Sequence, residues 1–257
     1  MLAVERRKRI AEIITENKSV LVTELSKMFD VTEETIRRDL EKLENQGVLV
    51  RSYGGATLVE DSMTEIPAEK RQVINQAGKD AIAKAASDLV NDGDTIFLDA
   101  STTTFYLARH IKDKKGVTVI TNSEKVVMEL SGSDGLNIIC TGGILDRNNQ
   151  SYVGRIAENV IKDNYYANKT FFSCRGVTLN RGLTDFNEQQ AEIKRAMISC
   201  SDTAIFLCDH SKFGKIGVPV VATFDDIHCL ITDAAVDKAF EDELNRKNVK
   251  YILANNR

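Results

Sequence analysis

Two groups of residues have the types and spacing to do chemistry. The first is the run Thr32-Glu33-Glu34-Thr35-Ile36-Arg37-Arg38, with Arg51 and Tyr53 a little further on. A guanidinium can bond guanine O6 and N7 together, and a threonine can meet a phosphate or a thymine methyl, so Thr32, Thr35, Arg37 and Arg38 suit duplex DNA. The second group follows a series of short apolar runs, each ending in polar or small residues: Asp99, Ser101, Thr102 and Thr103; Asn122; Gly142 and Gly143; Arg175, Asp185 and Glu188; Asp209 and Lys212. Hydroxyls and free backbone N–H groups at a strand-to-helix turn receive anions, a lysine neutralises phosphate, and an aspartate accepts from sugar hydroxyls.

The elements that must position the first group are helical. Apolar Ile10, Ile13 and Ile14 give one face to a helix over about Val4–Glu16. Thr23 is expected to cap a short second helix carrying Leu25, Met28 and Phe29, and Thr32 a third, which Gly47 would end. In that third helix Ile36, Leu40 and Leu43 fall within about 60° of one another, which leaves Arg38 opposite and Thr35 and Arg37 on the flanks. Two helices joined by the short turn Phe29-Asp30-Val31 form a helix-turn-helix, whose second helix enters the major groove by its N-terminal half. The following "VLVRSYGGATLV" alternates about a Tyr-Gly-Gly turn, as a β-hairpin wing does, with Arg51 just before the tip. Arg6, Arg7, Lys8 and Arg9 could add phosphate contacts. A solvated helix face laced by i, i+4 ion pairs, Arg38 with Glu34 among them, would carry the same pattern.

The second group sits on a different architecture. The runs "TIFLD", "VTVIT", "LNIIC", "KTFFSC", "TAIFLC", "VPVVAT", "HCLITD" and "KYIL" are short and rich in β-branched residues, with helical patterns between many of them. That order predicts a largely parallel sheet with helices on both faces, and ligands bind beyond the carboxyl ends of such strands. Plain N-capping accounts equally well for the Ser and Thr of the first loop. Neither a P-loop nor a dinucleotide-binding glycine fingerprint occurs. The polar stretch around Pro67 divides the chain into a DNA-binding domain over 1–57, a linker over 58–73 and an effector domain over 74–257.

Composition narrows the classes. With 28% charged and 42% hydrophobic residues in 257, the chain is an ordinary globular sequence. A net charge of −4 excludes a uniformly basic coat for non-specific nucleic-acid binding. No apolar run reaches the roughly 18–20 residues that cross a bilayer, and the N-terminus has no signal-peptide core, so a cytoplasmic protein without a membrane partner is expected. The five cysteines form no C-x-x-C pair and read as mostly buried thiols. His110, His210 and His228 lack zinc-ligand spacing with any of them.

The segment "VTELSKMFDVTEETIRRDLEKLENQGVLVRSYGGA" resembles the N-terminal signature of the DeoR family of bacterial transcription regulators, chiefly in "TIRRDL" and the R-x-x-G-G-A wing tip. Tyr53 and Thr32 stand where the family commonly has histidine and serine. "DASTT", "TNS", "TGG", the "RG…GLTD…AEIKRAMI" stretch and "DHSKFG" are similar to the family's effector domain, so the likeness spans nearly the entire chain. It implies a winged helix-turn-helix followed by an open, largely parallel, Rossmann-like α/β sensor related to ribose-5-phosphate isomerase and glucosamine-6-phosphate deaminase. It further implies a regulator, usually a repressor of carbohydrate-metabolism genes, that binds operator DNA as a homodimer or homotetramer. Its effector would be a phosphorylated sugar, with no cofactor, held by Asp99, Ser101, Thr102 and Thr103 and, across the pocket, Asp209 and Lys212. Gln190 replaces a frequent glutamate, and Arg175 stands where small residues are common; both bear on which sugar is taken. The alternative is a sugar-phosphate isomerase or deaminase, which needs a carboxylate base and a polarising partner but has no use for the N-terminal segment.

Overall fold

A computed structural model describes residues 2–45, 48–58 and 65–254. The expected helix stop at Gly47 and residues 59–64 of the expected linker lie outside the described residues. The chain divides into two units, Met1–Ile74 and Asn75–Arg257.

The first unit runs α1 (Ala3–Asn17), β1 (Ser19–Leu21), α2 (Val22–Phe29), α3 (Glu33–Asn45), β2 (Leu49–Ser52), β3 (Gly55–Leu58) and α4 (Ala68–Val73). Ile10, Ile14, Leu25, Ile36, Leu40 and Leu49 are fully buried and form its core, so the three helices pack through the apolar stripes read from their spacing. Two details differ. Thr23 lies inside α2 and does not cap it; the helix begins at Val22 with no side-chain cap. Val22 and Leu25 are the buried residues of α2, with Phe29 packed beside them, and that stripe turns Met28 into solvent at 61% exposure. The wing pairs β2 with β3 antiparallel, and β1 adds to β3 as a third strand. Gly55 makes that addition possible, because a Cβ there would lie 2.2 Å from the Val20 carbonyl oxygen. Within the expected linker, residues 68–73 are helical and Ala68 is buried.

The second unit opens with α5 (Gln76–Ser87). It continues through β4 (Thr95–Leu98), α6 (Thr102–His110), β5 (Val117–Thr121), α7 (Glu124–Leu130), β6 (Leu136–Cys140), β7 (Ile144–Asp146), β8 (Ser151–Val153) and α8 (Arg155–Asn164). Then come β9 (Ala167–Phe172), β10 (Gly176–Thr178), β11 (Gly182–Thr184), α9 (Glu188–Ser199), β12 (Ser201–Leu207), β13 (Val220–Ala222), β14 (Cys229–Thr232), α10 (Lys238–Arg246) and β15 (Lys250–Leu253). Seven strands make one all-parallel sheet in the order β15-β14-β12-β9-β4-β5-β6. Side chains alternate through it: Ile96, Leu98 and Phe171 pack with α5, α6 and α7, while Phe97 packs with α8 and α9 on the other face. Both faces are covered, which is why the strands read as continuous apolar runs.

One expected strand does not join this sheet. "VPVVAT" contributes β13 to a small antiparallel sheet, β10-β11-β13. Pro219 has no N–H to give a ladder, and the strand sits at an edge. The chain visits β4, β5 and β6 in one direction and then crosses to β9 on the other side of β4. The strand order therefore reverses between β4 and β9, which is where open α/β sheets form a binding crevice.

Candidate functional site

In the first unit four of the residues expected to meet DNA, Thr32, Thr35, Arg37 and Arg38, lie at the start of α3. The Thr32 hydroxyl accepts from the Thr35 amide at 3.3 Å and lies 2.9 Å from the Thr35 hydroxyl, so it caps the helix as expected. Arg37 and Arg38 project into solvent, their side chains 51% and 74% exposed, and pair with Glu33 at 2.9 Å and Glu34 at 3.2 Å. Exposed i, i+4 pairs are worth about 0.3–0.5 kcal/mol, while one bidentate base contact contributes roughly 1–3 kcal/mol of discrimination. Such weak pairs would cost little to open if a base edge competed for the guanidinium groups. In the wing, the Arg51 backbone N–H and Nε both donate to Glu44 of α3, at 3.1 and 2.9 Å, with Lys70 3.7 Å from the same carboxylate. Burial alone would raise the Glu44 carboxyl, but the two Arg51 hydrogen bonds and the Lys70 charge outweigh it and hold it below its ordinary range. Glu44 thus fixes the wing to α3. Tyr53 stands fully exposed at the tip.

The basic cluster at the chain start is only partly available. Arg6 is 7% exposed, and its Nε donates to Asp39 at 2.6 Å; Arg7 joins the same carboxylate at 3.3 Å. Arg6 and Arg7 therefore lock α1 onto α3 and do not reach for phosphate, whereas Lys8 and Arg9 remain exposed. Asp39, next to Arg38 in the sequence, is buried at 3%.

In the second unit the carboxyl edge of the sheet collects most of the polar residues expected there. Asp99 follows β4 and is 1% exposed. Its Oδ1 accepts from the Ser101 amide at 3.0 Å and the Thr104 hydroxyl at 2.8 Å. Its Oδ2 accepts from the Ser173 amide at 3.1 Å, across the switch between β4 and β9. The same oxygen lies 3.6 Å from Lys194, whose ammonium is 2.8 Å from Asp185. Asp99 is thus fully engaged within the protein and shapes the loop. Ser101 caps α6 by accepting the Thr104 amide, which leaves the Thr102 and Thr103 amides in the first turn without an intrahelical acceptor.

Asn122 is fully buried; its Nδ2 donates to the Tyr152 carbonyl and its Oδ1 has no partner. Gly142 and Gly143 both have positive φ, and a Cβ on Gly143 would lie 2.8 Å from the Val153 carbonyl oxygen, so this turn must be glycine. The Arg175 guanidinium stacks 4.8 Å above the Phe186 ring. Glu188 is exposed and pairs with Arg195 of its own helix at 2.7 Å. Gln190 is buried and donates to Asp146 and Ser151, pinning the β7–β8 hairpin.

Asp209 differs from Asp99. It is 1% exposed, and its Oδ1 accepts from the Ser211 amide, but its Oδ2 has no hydrogen-bond partner. Burial would raise this carboxyl, yet Lys212, Lys79 and Ser211 together lower it, so the group is an anion with an open acceptor. Lys194 and Lys79 are not among the residues that the sequence pattern singles out. Burial would lower the Lys194 ammonium, but Asp185 and Asp99 outweigh it and raise it above its ordinary value. The signal was present: both lysines interrupt apolar helical stripes, Ile193-Lys194-Met197 and Lys79-Ile82-Ala83-Ala86. Cys174 and Cys208 lie just beyond the ends of β9 and β12. Burial pushes the Cys174 thiol up to about 12 and raises Cys208 as well, so they are inert at this edge. Cys140, by contrast, is exposed.

Residues 6–62 match the model of the DeoR-like helix-turn-helix domain, and residues 74–234 that of the DeoR C-terminal sensor domain. The chain belongs to the DeoR family. It is 44% identical to the HTH-type transcriptional regulator YulB of Bacillus subtilis, over 97% of this chain and 96% of the relative. It is 36% identical to the HTH-type transcriptional regulator GolR of Listeria innocua, over 93% and 94%. The transcriptional repressor AccR of Agrobacterium fabrum is 31% identical, over 98% and 97%. This DeoR-family member is a DNA-binding transcription regulator rather than an isomerase or deaminase. Among the described residues no helix is long and apolar enough to cross a membrane.

Proposed function

We infer that the chain is a cytoplasmic repressor of carbohydrate-metabolism genes, and that a phosphorylated sugar at the carboxyl edge of the sensor sheet controls its hold on operator DNA. Thr32, Thr35, Arg37 and Arg38 read the major groove, and Arg51 and Tyr53 of the wing contact the backbone or minor groove. Two or four copies present paired heads to half-sites about 34 Å apart, one turn of the duplex. No cofactor takes part; the effector is the only small molecule required.

The observation that carries the effector assignment is the unpartnered Asp209 Oδ2, buried beside the charges of Lys79 and Lys212. A lone buried acceptor calls for a hydrogen-bond donor, and the nearby cations call for an anion. A sugar phosphate supplies both in one molecule: hydroxyls for Asp209, and phosphate for Lys212 and the amides of Thr102 and Thr103. Binding must favour one conformation over the other, or operator affinity would not change.

The test is a thermal-shift screen of hexose and pentose monophosphates, with inorganic phosphate as the control, followed by operator retardation with each stabilising compound. A ligand at a hundredfold excess over its Kd adds about 2.7 kcal/mol to the native state, a readily measured rise in Tm. A panel in which no sugar phosphate raises Tm or alters retardation overturns the effector assignment.

A further inference from the structure

Asp233 closes β14 with its side chain only 7% exposed, and it ties together three segments that are distant in sequence. Its Oδ1 accepts from the His210 backbone N–H at 2.7 Å. Its Oδ2 lies 2.8 Å from His210 Nδ1, which must donate to a carboxylate, and accepts from Asn75 Nδ2 at 2.9 Å. His210 immediately follows Asp209 in the turn that ends at Lys212. Asn75 is the residue at which the chain passes from the first unit to the second.

We propose that the Asn75–Asp233–His210 link is the relay by which effector occupancy at Asp209 and Lys212 reaches the junction with the DNA-binding unit. The proposal rests on the sugar-phosphate reading of that edge and names its regulation. Asn75 is the element with two states. Its backbone is left-handed, at φ 48° and ψ 43°, a basin that side-chain-bearing residues other than asparagine and aspartate seldom occupy. The hydrogen bond that its side-chain amide donates to Asp233 holds it there. Once that hydrogen bond is lost the backbone of Asn75 is free to move to negative φ, and the direction in which the chain enters α5 changes with it.

The surroundings are built for this contact. Gly78, in the first turn of α5, sits where a Cβ would lie 2.1 Å from Asp233 Oδ2 and 2.6 Å from Asn75 Nδ2. Only glycine lets the carboxylate approach the start of the helix, where the helix dipole favours it. Lys79, the next residue, is buried and lies close enough to Asp209 to act on its charge. The start of α5 therefore meets the effector loop at His210, 3.4 Å from Asn75, and the Lys79 charge acts on Asp209. A ligand that draws in Asp209 and Lys212 shifts the backbone N–H of His210, and with it the carboxylate that fixes Asn75.

The test uses the full chain, a duplex selected by the wild type from a random library, and whichever hexose or pentose monophosphate raises its Tm most. Two variants are compared: Asn75→Gly, which keeps the left-handed backbone and removes only the amide, and His210→Ala, which removes the ring. Calorimetry gives effector affinity, and retardation gives operator affinity with and without the compound. Coupling between sites commonly amounts to about 5–150-fold. Both variants are expected to bind the compound within about threefold of wild type while the effector-induced change in operator affinity collapses towards onefold. Wild-type coupling retained in both variants overturns the relay and leaves the effector site standing. Absence of any coupling in the wild type itself overturns the sugar-phosphate reading and the relay with it.

Discussion

Replacing Asp39 with alanine tests whether the acidic residue beside the recognition arginines serves stability rather than DNA contact. The variant would leave Arg6 without its partner in a setting where the two side chains are only 9% and 5% exposed. Truncating one member of a buried ion pair costs about 3–5 kcal/mol, mostly because the remaining charge is stranded. Arg6 lies on a helix near the surface and can swing partly outward, so the lower end applies. A unit of some 74 residues has about 4–11 kcal/mol of stability in all, and the loss is a large share of it. Hydrogen exchange followed by mass spectrometry reads this locally, because core amides exchange through opening of the unit that contains them. Peptides from α1 and α3 should exchange roughly 150 times faster, the equivalent of about 3 kcal/mol, while peptides from β4, β9 and β12 keep wild-type protection. Glu33→Ala is the control: it opens an exposed pair worth about 0.5 kcal/mol and should change exchange only about twofold. If the α1 and α3 amides of the Asp39 variant exchange within threefold of wild type, the buried pair does not lock the helices and the stability argument fails.

Arg38→Ala should weaken operator retardation by roughly 5- to 150-fold, the loss of one base contact, with Tm unchanged; full retardation would remove Arg38 from the recognition set. Lys212→Ala should weaken sugar-phosphate binding while leaving operator binding in the absence of effector intact, and calorimetry returning wild-type affinity would refute its role. The Glu44 carboxyl is held below its ordinary 4.5 in the folded state, so the stability it contributes is complete above pH 4.5 and is lost as pH falls through the lowered value. Wing amides should accordingly lose exchange protection on acidification below pH 4.5. Glu44→Gln should flatten that dependence, and an unaltered profile would show that another group governs it.

The parts of the fold legible in the sequence were those fixed by short-range rules. The Thr32 and Ser101 caps, the Ile36-Leu40-Leu43 stripe and the β-branched runs of the parallel sheet each declare themselves within a few residues. Three-residue strands have no period to read, so β1 and the hairpins β7–β8 and β10–β11 are not legible in the sequence. Each exists because of a partner elsewhere: β1 because Gly55 admits the Val20 carbonyl, and the β7–β8 hairpin because Gln190, 39 positions beyond Ser151, reaches back to it. Arg6 and Arg7 looked like phosphate ligands because their partner Asp39 lies more than 30 positions away. At the sensor edge, sequence position identified the loops but could not rank their residues, since whether a carboxylate is already satisfied depends on contacts such as Ser173 to Asp99 across 74 positions.

That ranking decides what the sensor edge can recognise. Two buried aspartates stand at the ends of β4 and β12, each beside a buried or half-buried lysine. Asp99 receives two amides, a hydroxyl and the Lys194 charge, so both oxygens are engaged and a ligand could gain from it only by breaking what positions the loop. Asp209 keeps one oxygen open. A bare phosphate brought to Lys212 would meet that carboxylate as a like charge, whereas a molecule that also carries hydroxyls satisfies it. A neutral polyol would satisfy Asp209 but leave the cations beside it without an added anion. On the proposed reading the ligand is hydroxylated at one end and anionic at the other. The same open oxygen belongs to the residue next to His210, so filling it acts at the point from which Asn75 is held.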